Sequence, residues 1–242
     1  MRITKYALGV AMLFFAMAAS ANETVVRRMM VDQIRGEGQI ESVNKAPWGD
    51  LYEVVVRGSK GPLVFYVDGK ATVIIAGQVL EAKTGRNITE EKLRKLSAIK
   101  WEKLPLDAAI TTVRGDGRRK IAVFSDPNCP YCKRFETELE LVDDITVHIF
   151  LYPVIKPESL PLTRSVWCSK DRAKAWNDLI LRDIQPTAKP DCDTPIEKIL
   201  ALGREIGASS TPTFFLQNGE RHKGAMHITE VTRLLDAASP KR

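Results

Sequence analysis

The chain has 242 residues, of which 44% are hydrophobic and 27% are charged. This composition excludes an intrinsically disordered protein, and the length allows one or two domains with a hydrophobic core. The formal net charge is +6, but charges of both signs are mixed along the chain and no basic stripe alternates with aromatic residues, so the sequence gives no support for nucleic-acid binding.

Residues 1–21 have the pattern of a cleavable export signal. A short basic segment with Arg2 and Lys5 precedes an apolar run over residues 7–19, and small residues close the segment. We predict cleavage after Ala21, because the apolar run is too short to span a membrane comfortably. A retained membrane anchor is the alternative. Export would place the four cysteines in a compartment where disulfides persist.

Residues 22–84 predict a small β-rich domain that begins with an apolar stripe of helical spacing. Runs rich in β-branched residues follow at 51–58 and 63–67. Asp68–Gly69 is a strong signal for a tight hairpin, after which we expect a strand to resume from Lys70. So small an antiparallel sheet buries little core by itself, and we expect this domain to need a partner. The apolar stripe consists of Val25, Val26, Met29, Met30 and Ile34.

Residues 85–105 predict a charged linker helix, since Leu93, Leu96 and Trp101 provide only a thin apolar stripe. Residues 106–242 alternate between strand-like and helix-like segments, with a mostly helical stretch before the last strands, and this pattern predicts an α/β domain. The predicted fold class is therefore α+β, with a small β-rich N-terminal domain, a linker helix and a C-terminal α/β domain that carries a helical insertion.

The pair Cys129 and Cys132 joins a predicted buried strand to a predicted helix. At the helix N-terminus, the dipole and the unpaired backbone N–H groups would stabilise Cys129 as a thiolate. Pro130 suits the first helical turn, because it has no N–H to leave unpaired. Cys132 lies nearly one turn further, close enough to form a disulfide with Cys129. The arrangement predicts a redox pair that attacks a disulfide through Cys129 and releases it through Cys132.

Two other uses of this pair compete with the redox interpretation. A structural zinc site needs four ligands, but Cys168 and Cys192 form no second Cys-x-x-Cys, and the 3 histidines show no supporting spacing. We therefore predict no metal site and no cofactor. An inert disulfide between Cys129 and Cys132 is the second alternative, although so small a ring would constrain the unfolded chain little.

The other two cysteines, Cys168 and Cys192, lie in helical surroundings interrupted by prolines. A disulfide between them would close a loop of about 25 residues and would stabilise the fold by on the order of 3 kcal/mol. We interpret this pair as structural. Four cysteines allow three pairings, however, and only the short spacing of Cys129 and Cys132 favours this one.

Thr211 and Pro212 precede another predicted buried strand. The bond between them is of the kind that can be cis. A loop of this kind placed opposite Cys129 would offer backbone groups to an extended substrate. A trans proline at the start of an edge strand fits the sequence equally well.

Three segments, in this order along the chain, resemble the DsbC/DsbG family of periplasmic disulfide isomerases within the thioredoxin superfamily. They are FSDPNCPYCKRF, VWCSKDRAKAWND and LGREIGASSTPTFFLQNGERHKGAM. The resemblance covers essentially the whole mature chain, although the N-terminal part matches by layout more than by motif. It implies a thioredoxin-like C-terminal domain, an N-terminal dimerisation domain that makes a homodimer, and a periplasmic location.

The resemblance also implies a role for each residue of the site. Cys129 becomes the nucleophile, Cys132 the resolving cysteine, and Cys168–Cys192 a structural disulfide. The implied partners are misfolded or misoxidised periplasmic proteins and a membrane reductase of the DsbD type. The residues expected to contact the substrate are Pro130, Tyr131, Thr211 and Pro212, with Pro212 in the cis form.

The sequence mixes features of the two branches of the family. Pro130 and Tyr131 resemble the DsbG branch, whereas the second cysteine pair and Thr211 are more like DsbC. Val123 stands where reducing thioredoxins have a buried Asp, which argues against a thioredoxin-like reductase. We therefore predict an exported isomerase that reshuffles or reduces incorrect disulfides and has chaperone activity. The alternatives are a DsbG-like reductase of sulfenylated cysteines, a holdase chaperone and a DsbA-like dithiol oxidase.

Overall fold

The structure, a computed structural model, describes residues 21–59 and 61–239. The predicted export signal, apart from its last residue Ala21, lies outside the described residues. Contacts divide the chain into one unit that ends at Thr89 and a second that begins at Glu90. In the described part of the chain, no helix combines the length and the hydrophobicity that crossing a membrane requires.

The N-terminal unit is a helix packed on an antiparallel sheet. Its elements are α1 (Ala21–Ile34), β1 (Gly38–Lys45), β2 (Leu51–Gly58), β3 (Gly61–Asp68) and β4 (Ile74–Ile75). The strands follow the order β1-β2-β3-β4. The predicted apolar stripe forms α1 because Val26 and Met30 are buried against the sheet. The side chains that face them, Tyr52, Val54 and Val56, share one face of β2 through the two-residue period of a strand.

The connection after β3 differs from the predicted tight hairpin at Asp68–Gly69. The Asp68 carboxylate accepts hydrogen bonds from the backbone N–H groups of Lys70, Thr72 and Val73. These bonds hold residues 69–73 in a loop, so the strand expected from Lys70 is reduced to the two residues of β4.

The predicted linker helix over 85–105 is also shorter in the structure. It comprises α2 (Ile88–Leu96), and a separate 3₁₀ turn follows at Trp101–Lys103. The helix ends early because the Ile99 N–H donates to the Gly219 carbonyl (3.0 Å) instead of to its own helix. Trp101 does not line a linker helix but is buried in the core of the second unit. Gly219 has a φ of +84°, and a side chain there would collide with the Ile99 carbonyl, so the close approach requires glycine.

The second unit is a five-stranded sheet covered by helices. Its strands are β5 (Ile110–Arg114), β6 (Arg119–Ser125), β7 (Ile145–Leu151), β8 (Thr213–Leu216) and β9 (Arg221–Lys223). Its helices are α3 (Pro130–Leu139), α4 (Ser159–Cys168), α5 (Arg172–Arg182), α6 (Ile196–Glu205) and α7 (Ile228–Ala238). The strand order is β5-β7-β6-β8-β9, with β6 and β7 parallel and the other pairs antiparallel. The helices α4, α5 and α6 form the predicted helical insertion between β7 and β8.

β6 is the central strand of this unit, and its side chains are buried on both faces. Ile121 and Val123 belong to one hydrophobic cluster, whereas Ala122 and Phe124 belong to the other. The end of β6 lies beside the start of β8, because Phe124 is paired with Thr213 in antiparallel register. The segment that follows β6 and the segment that precedes β8 therefore meet at one end of the sheet.

Candidate active site

Cys129 and Cys132 lie where β6 leads into α3, and both are free thiols. Cys129 is the N-cap of α3, with an extended backbone (φ −88°, ψ 115°), and Pro130 is the first helical residue. Cys129 is 2% exposed and Cys132 is fully buried, whereas Tyr131 between them is 61% exposed. The positive end of the helix dipole favours negative charge at the N-cap. The two thiols thus occupy unequal environments.

The Thr211–Pro212 segment lies opposite Cys129, and the peptide bond between its two residues is cis. The Cys129 thiol donates a hydrogen bond to the Thr211 carbonyl oxygen, with 3.3 Å between sulfur and oxygen. Both residues of the segment are buried. The contact follows from the pairing of β6 with β8, which brings the two segments together. The structure thus gathers at one end of the sheet the predicted catalytic and substrate-contacting residues Cys129, Pro130, Tyr131, Cys132, Thr211 and Pro212.

Burial raises the pKa of the Cys132 thiol far above its ordinary value. Interactions with Ser125 and with the backbone of Asp126 lower that pKa without offsetting the burial. Cys132 is therefore a protonated thiol at neutral pH, and it can act as a nucleophile only when its proton is removed.

A buried carboxylate, Asp126, holds the loop that carries Cys129. Its two oxygens accept hydrogen bonds from the Asn128 N–H (2.8 Å) and from the N–H groups of Val154 (2.7 Å) and Ile155 (2.8 Å). The Ser159 hydroxyl also donates to it (2.7 Å). Asp126 therefore ties the loop before α3 to the loop after β7. The sequence reasoning missed this role, although an Asp directly after a buried strand was a signal for it.

A second buried carboxylate, Glu136, lies one turn beyond Cys132 on α3. It accepts hydrogen bonds from the Ser125 hydroxyl (2.5 Å) and from the Trp176 indole N–H (2.6 Å). Burial raises its pKa to about 7, although both hydrogen bonds act to lower it. The sequence reasoning also missed Glu136. The signal was its position on the apolar face of α3, which it shares with Cys132, Phe135 and Leu139.

Cys168 and Cys192 are joined by a disulfide, with 5.7 Å between their Cα atoms. This is the structural pair expected from the sequence, whereas Cys129 and Cys132 are not bonded to each other. The disulfide ties the end of α4 to the loop that precedes α6. It does not involve Cys129 or Cys132. Within the described residues, no group of three or more His, Cys, Asp or Glu side chains is close enough to hold a metal ion.

Two family models match the chain. A thioredoxin-like domain matches residues 106–239, and the N-terminal domain of disulfide bond isomerase proteins matches residues 17–90. Together they account for both parts of the predicted α+β fold, which is confirmed.

Curated relatives carry the same description. The chain is 41% identical over 198 residues to a probable thiol:disulfide interchange protein DsbC of Bordetella pertussis, covering 81% of this chain and 69% of the relative. It is 29% identical to the thiol:disulfide interchange protein DsbG of Pseudomonas aeruginosa, with 94% of each chain covered. It is 27% identical to the thiol:disulfide interchange protein DsbC of Escherichia coli, with 93% of this chain and 94% of the relative covered.

A solved structure agrees with these relatives. The crystal structure of a disulfide interchange protein from Neisseria gonorrhoeae superimposes with a TM-score of 0.55 and 36% identity, covering 57% of this chain and all of that one. The resemblance stated from the sequence is therefore confirmed, and the chain is an enzyme of thiol–disulfide exchange. It belongs to the DsbC/DsbG family of thiol:disulfide interchange proteins.

Proposed function

We propose that the mature chain is an exported thiol–disulfide isomerase that reshuffles or reduces incorrect disulfides in misfolded or misoxidised periplasmic proteins. The observation that carries this proposal is the pair of free and unequal thiols at the N-terminal end of α3, opposite the Thr211 carbonyl. Such a pair exchanges electrons with a disulfide directly, so the reaction needs no cofactor and no metal.

In the first step the Cys129 thiolate attacks one sulfur of the substrate disulfide. A bond forms between the Cys129 sulfur and that sulfur, the substrate S–S bond breaks, and its electron pair leaves on the second substrate sulfur as a thiolate. Substrate thiolates then attack other disulfides or the mixed disulfide, which reshuffles the substrate and releases Cys129. When reshuffling stalls, Cys132 attacks the Cys129 sulfur, the substrate leaves reduced, and the pair is left as a disulfide.

The same geometry supports roles for Pro130, Tyr131, Thr211 and Pro212 in substrate contact. The Thr211 carbonyl accepts a hydrogen bond from the Cys129 thiol in the free protein. Once Cys129 is in a mixed disulfide it has no S–H to donate, so this carbonyl becomes available to a backbone N–H of an extended substrate. The 61% exposed ring of Tyr131 offers apolar surface next to the nucleophile.

Isomerisation requires Cys129 and Cys132 to be reduced in an oxidising compartment. We therefore assign a membrane reductase of the DsbD type as the electron donor, and a periplasmic location reached by cleavage of the signal after Ala21. We also assign the N-terminal unit, at residues 22–84, to a homodimer interface. Its exposed apolar side chains support this assignment, since a contiguous apolar edge is usually covered by another chain. They include Leu63, Val73, Ile74 and Ile75, which are 50%, 55%, 37% and 42% exposed.

The test is recovery of activity from a scrambled multi-disulfide protein in a glutathione buffer, with the mature chain beside its Cys129→Ala variant. We expect recovery that is lost in Cys129→Ala, because the mixed disulfide cannot form. Absence of recovery with the unaltered chain would contradict the isomerase and favour a dedicated reductase, of sulfenylated cysteines for example. Trapping of the pair as a disulfide in cells would favour a DsbA-like oxidase.

The predicted chaperone activity is tested with the same variant. Cys129→Ala retains every surface except one sulfur, so a chaperone function independent of exchange predicts that this variant still suppresses aggregation of an unfolded protein. Loss of that suppression would remove chaperoning as a separate function.

A further inference from the structure

Glu136 is a buried carboxylate that the exchange reaction described above does not use. It is 6% exposed and lies on α3 one turn after Cys132. Both of its hydrogen bonds come from neutral donors, the Ser125 hydroxyl and the Trp176 indole. An ionised carboxylate buried without a cation is unfavourable, so a side chain of this type beside a reactive thiol calls for an explanation.

Ser125 connects the Glu136 carboxylate to the Cys132 thiol. It is the last residue of β6 and is fully buried. Its hydroxyl donates to Glu136 at 2.5 Å, and Ser125 also lies close enough to the Cys132 thiol to influence its pKa. A hydroxyl can accept a hydrogen bond from one group while it donates to another. Ser125 is therefore within reach of both groups, and its oxygen can accept a proton from the Cys132 thiol while its own proton passes to the Glu136 carboxylate.

Cys132 needs such a proton acceptor because its thiol has to lose a proton in a place that solvent does not reach. The sulfur is fully buried, and burial raises the pKa of the thiol far above the neutral range. The thiolate is the attacking species in disulfide exchange. Resolution of a mixed disulfide on Cys129 therefore requires an internal base.

We propose that Glu136 accepts the proton of Cys132, through Ser125, when Cys132 resolves the mixed disulfide on Cys129. The Cys132 sulfur forms a bond to the Cys129 sulfur, the bond from Cys129 to the substrate breaks, and its electron pair leaves on the substrate sulfur as a thiolate. In the same step the Cys132 proton moves to the Ser125 oxygen, and the Ser125 proton moves to Glu136. The proposal rests on the proposed roles of Cys129 and Cys132.

The surroundings of Glu136 allow the proton to leave again. The charged and titratable groups that face it are Cys132 and Glu140 on α3 and Arg114 on β5, and Arg114 is paired with Glu140 at 2.9 Å. Glu136, Arg114 and Glu140 line a cavity of about 20 Å³, which is large enough for one water molecule. Burial raises the pKa of Glu136 to about 7, so its carboxyl group can both take and return a proton near neutral pH.

The experiment follows two released thiolates after the reduced, mature protein is mixed with an equimolar amount of the chromogenic disulfide dithiobis(nitrobenzoate). The first release reports the attack by Cys129, and the second reports resolution by Cys132. We expect Glu136→Gln, which preserves the shape but cannot accept the proton, to leave the first phase unchanged. We expect it to slow the second phase near neutral pH by on the order of 100-fold, the lower range for loss of a general base.

The pH profile distinguishes proton transfer from a merely structural role. In the unaltered protein the second-phase rate should rise as Glu136 loses its proton near pH 7 and then level off. In Glu136→Gln the rate should rise continuously with pH, because only the ionisation of Cys132 itself remains. Ser125→Ala should slow the second phase in the same way while leaving the carboxylate in place, and it carries the test if Glu136→Gln fails to fold.

Glu102→Gln is the control, since Glu102 is an exposed glutamate on the 3₁₀ turn at Trp101–Lys103 and does not line the cavity beside Glu136, and both phases should keep their rates. A second phase of Glu136→Gln with the rate of the unaltered protein would overturn the proposal. So would a slower phase that keeps the same inflection near neutral pH. Absence of a first phase that depends on Cys129, shown with Cys129→Ala, would instead contradict the proposed function.

Discussion

Two buried titratable side chains of the second unit, Glu136 and His222, respond to pH in opposite directions. Burial raises the pKa of Glu136 from 4.5 to about 7. The folded state therefore binds more protons than the unfolded state in this window, and the free energy of unfolding falls as pH rises through it. Burial, helped by the nearby Arg94, lowers the pKa of His222 from 6.5 to about 4. The folded state here binds fewer protons, so the free energy of unfolding falls as pH decreases from 6.5 to 4.

The effect of His222 can be isolated with His222→Phe. The imidazole stacks on Phe214 with 5.1 Å between ring centroids, and its Nε2 has no hydrogen-bond partner among the described residues, so a phenyl ring should replace it with little strain. On acidification from about pH 8 to about pH 5, we expect the free energy of unfolding of the unaltered protein to fall by about 2 kcal/mol more than that of the variant, because the variant has no imidazole to protonate. Urea unfolding at both pH values measures the difference. An equal loss of stability on acidification in both proteins would contradict this prediction.

The residues of the site could be predicted from the sequence where their role depends on neighbours in the same short segment. Cys129, Pro130 and Cys132 form a motif in which each residue type suits its place at a helix N-terminus, and the structure has them there. The position of Glu136 on the apolar face of α3 indicates its burial, but its hydrogen bond with Trp176, which lies far away in the chain, could not be deduced from α3. His222 is a similar case, because its environment is created by the packing of β9 against β8.

At the scale of elements, the loop that presents Cys129 is held by hydrogen bonds between a buried side chain and backbone N–H groups. The Asp126 carboxylate satisfies the N–H groups of Val154 and Ile155 in a loop after a different strand. Hydrogen bonds to a charged acceptor contribute more than neutral ones, and a buried N–H left without a partner is unfavourable. The two loops should therefore lose their order together.

Asp126→Ala tests this coupling. It removes the acceptor and leaves buried N–H groups without a partner, so we expect the free energy of unfolding to fall by about 3 kcal/mol. Asp191→Ala is the control, because Asp191 is exposed and surface substitutions usually change stability by about 0.5 kcal/mol or less. Urea unfolding followed by tryptophan fluorescence measures both. A loss in Asp126→Ala no greater than that in Asp191→Ala would show that the loops are held by other contacts.

The predicted bounds of helices and strands agree with the structure where one local sequence signal dominates. They differ from it where a residue distant in the chain supplies a hydrogen-bond partner. β6, β7 and α3 follow their apolar patterns closely. The linker helix was predicted to reach residue 105, because charged helix-forming residues continue past Leu96. The Ile99 N–H is instead captured by the Gly219 carbonyl, a partner that no local pattern in residues 85–105 indicates. The strand after Asp68 is shortened for a related reason, since a single carboxylate holds three backbone N–H groups of the loop.

At the scale of the whole molecule, the N-terminal unit has a small core and an apolar edge. Its buried cluster is limited to a few side chains of α1, β1, β2 and β3, whereas Ile74 and Ile75 of β4 are exposed. β4 is paired only with β3 in the described sheet, so its other side is an edge. These features support the proposed homodimer, because small sheets of this kind gain stability when a second chain covers them.

The proposed homodimer predicts that the mature chain has twice its monomer mass in light scattering at micromolar concentration. The double variant Ile74→Lys/Ile75→Lys should shift the mass toward the monomer, since buried unpaired charges oppose association. Val113→Lys is the matched control, because Val113 is an exposed valine (61%) on the edge strand β5 of the other unit. The mass of this variant in light scattering should equal that of the unaltered protein. A dimer that persists in the double variant would place the interface elsewhere.

The contact between Cys129 and the Thr211 carbonyl joins residues 82 positions apart in the chain. The cysteine loop is synthesised well before β8, so a chain that is still emerging carries thiols without the opposing carbonyl. The complete site arises only when β8 pairs with β6 and the sheet is finished. The geometry that places a carbonyl opposite the nucleophile is thus conditional on this protein's own folding, and an incomplete or unfolded copy carries the two thiols without it.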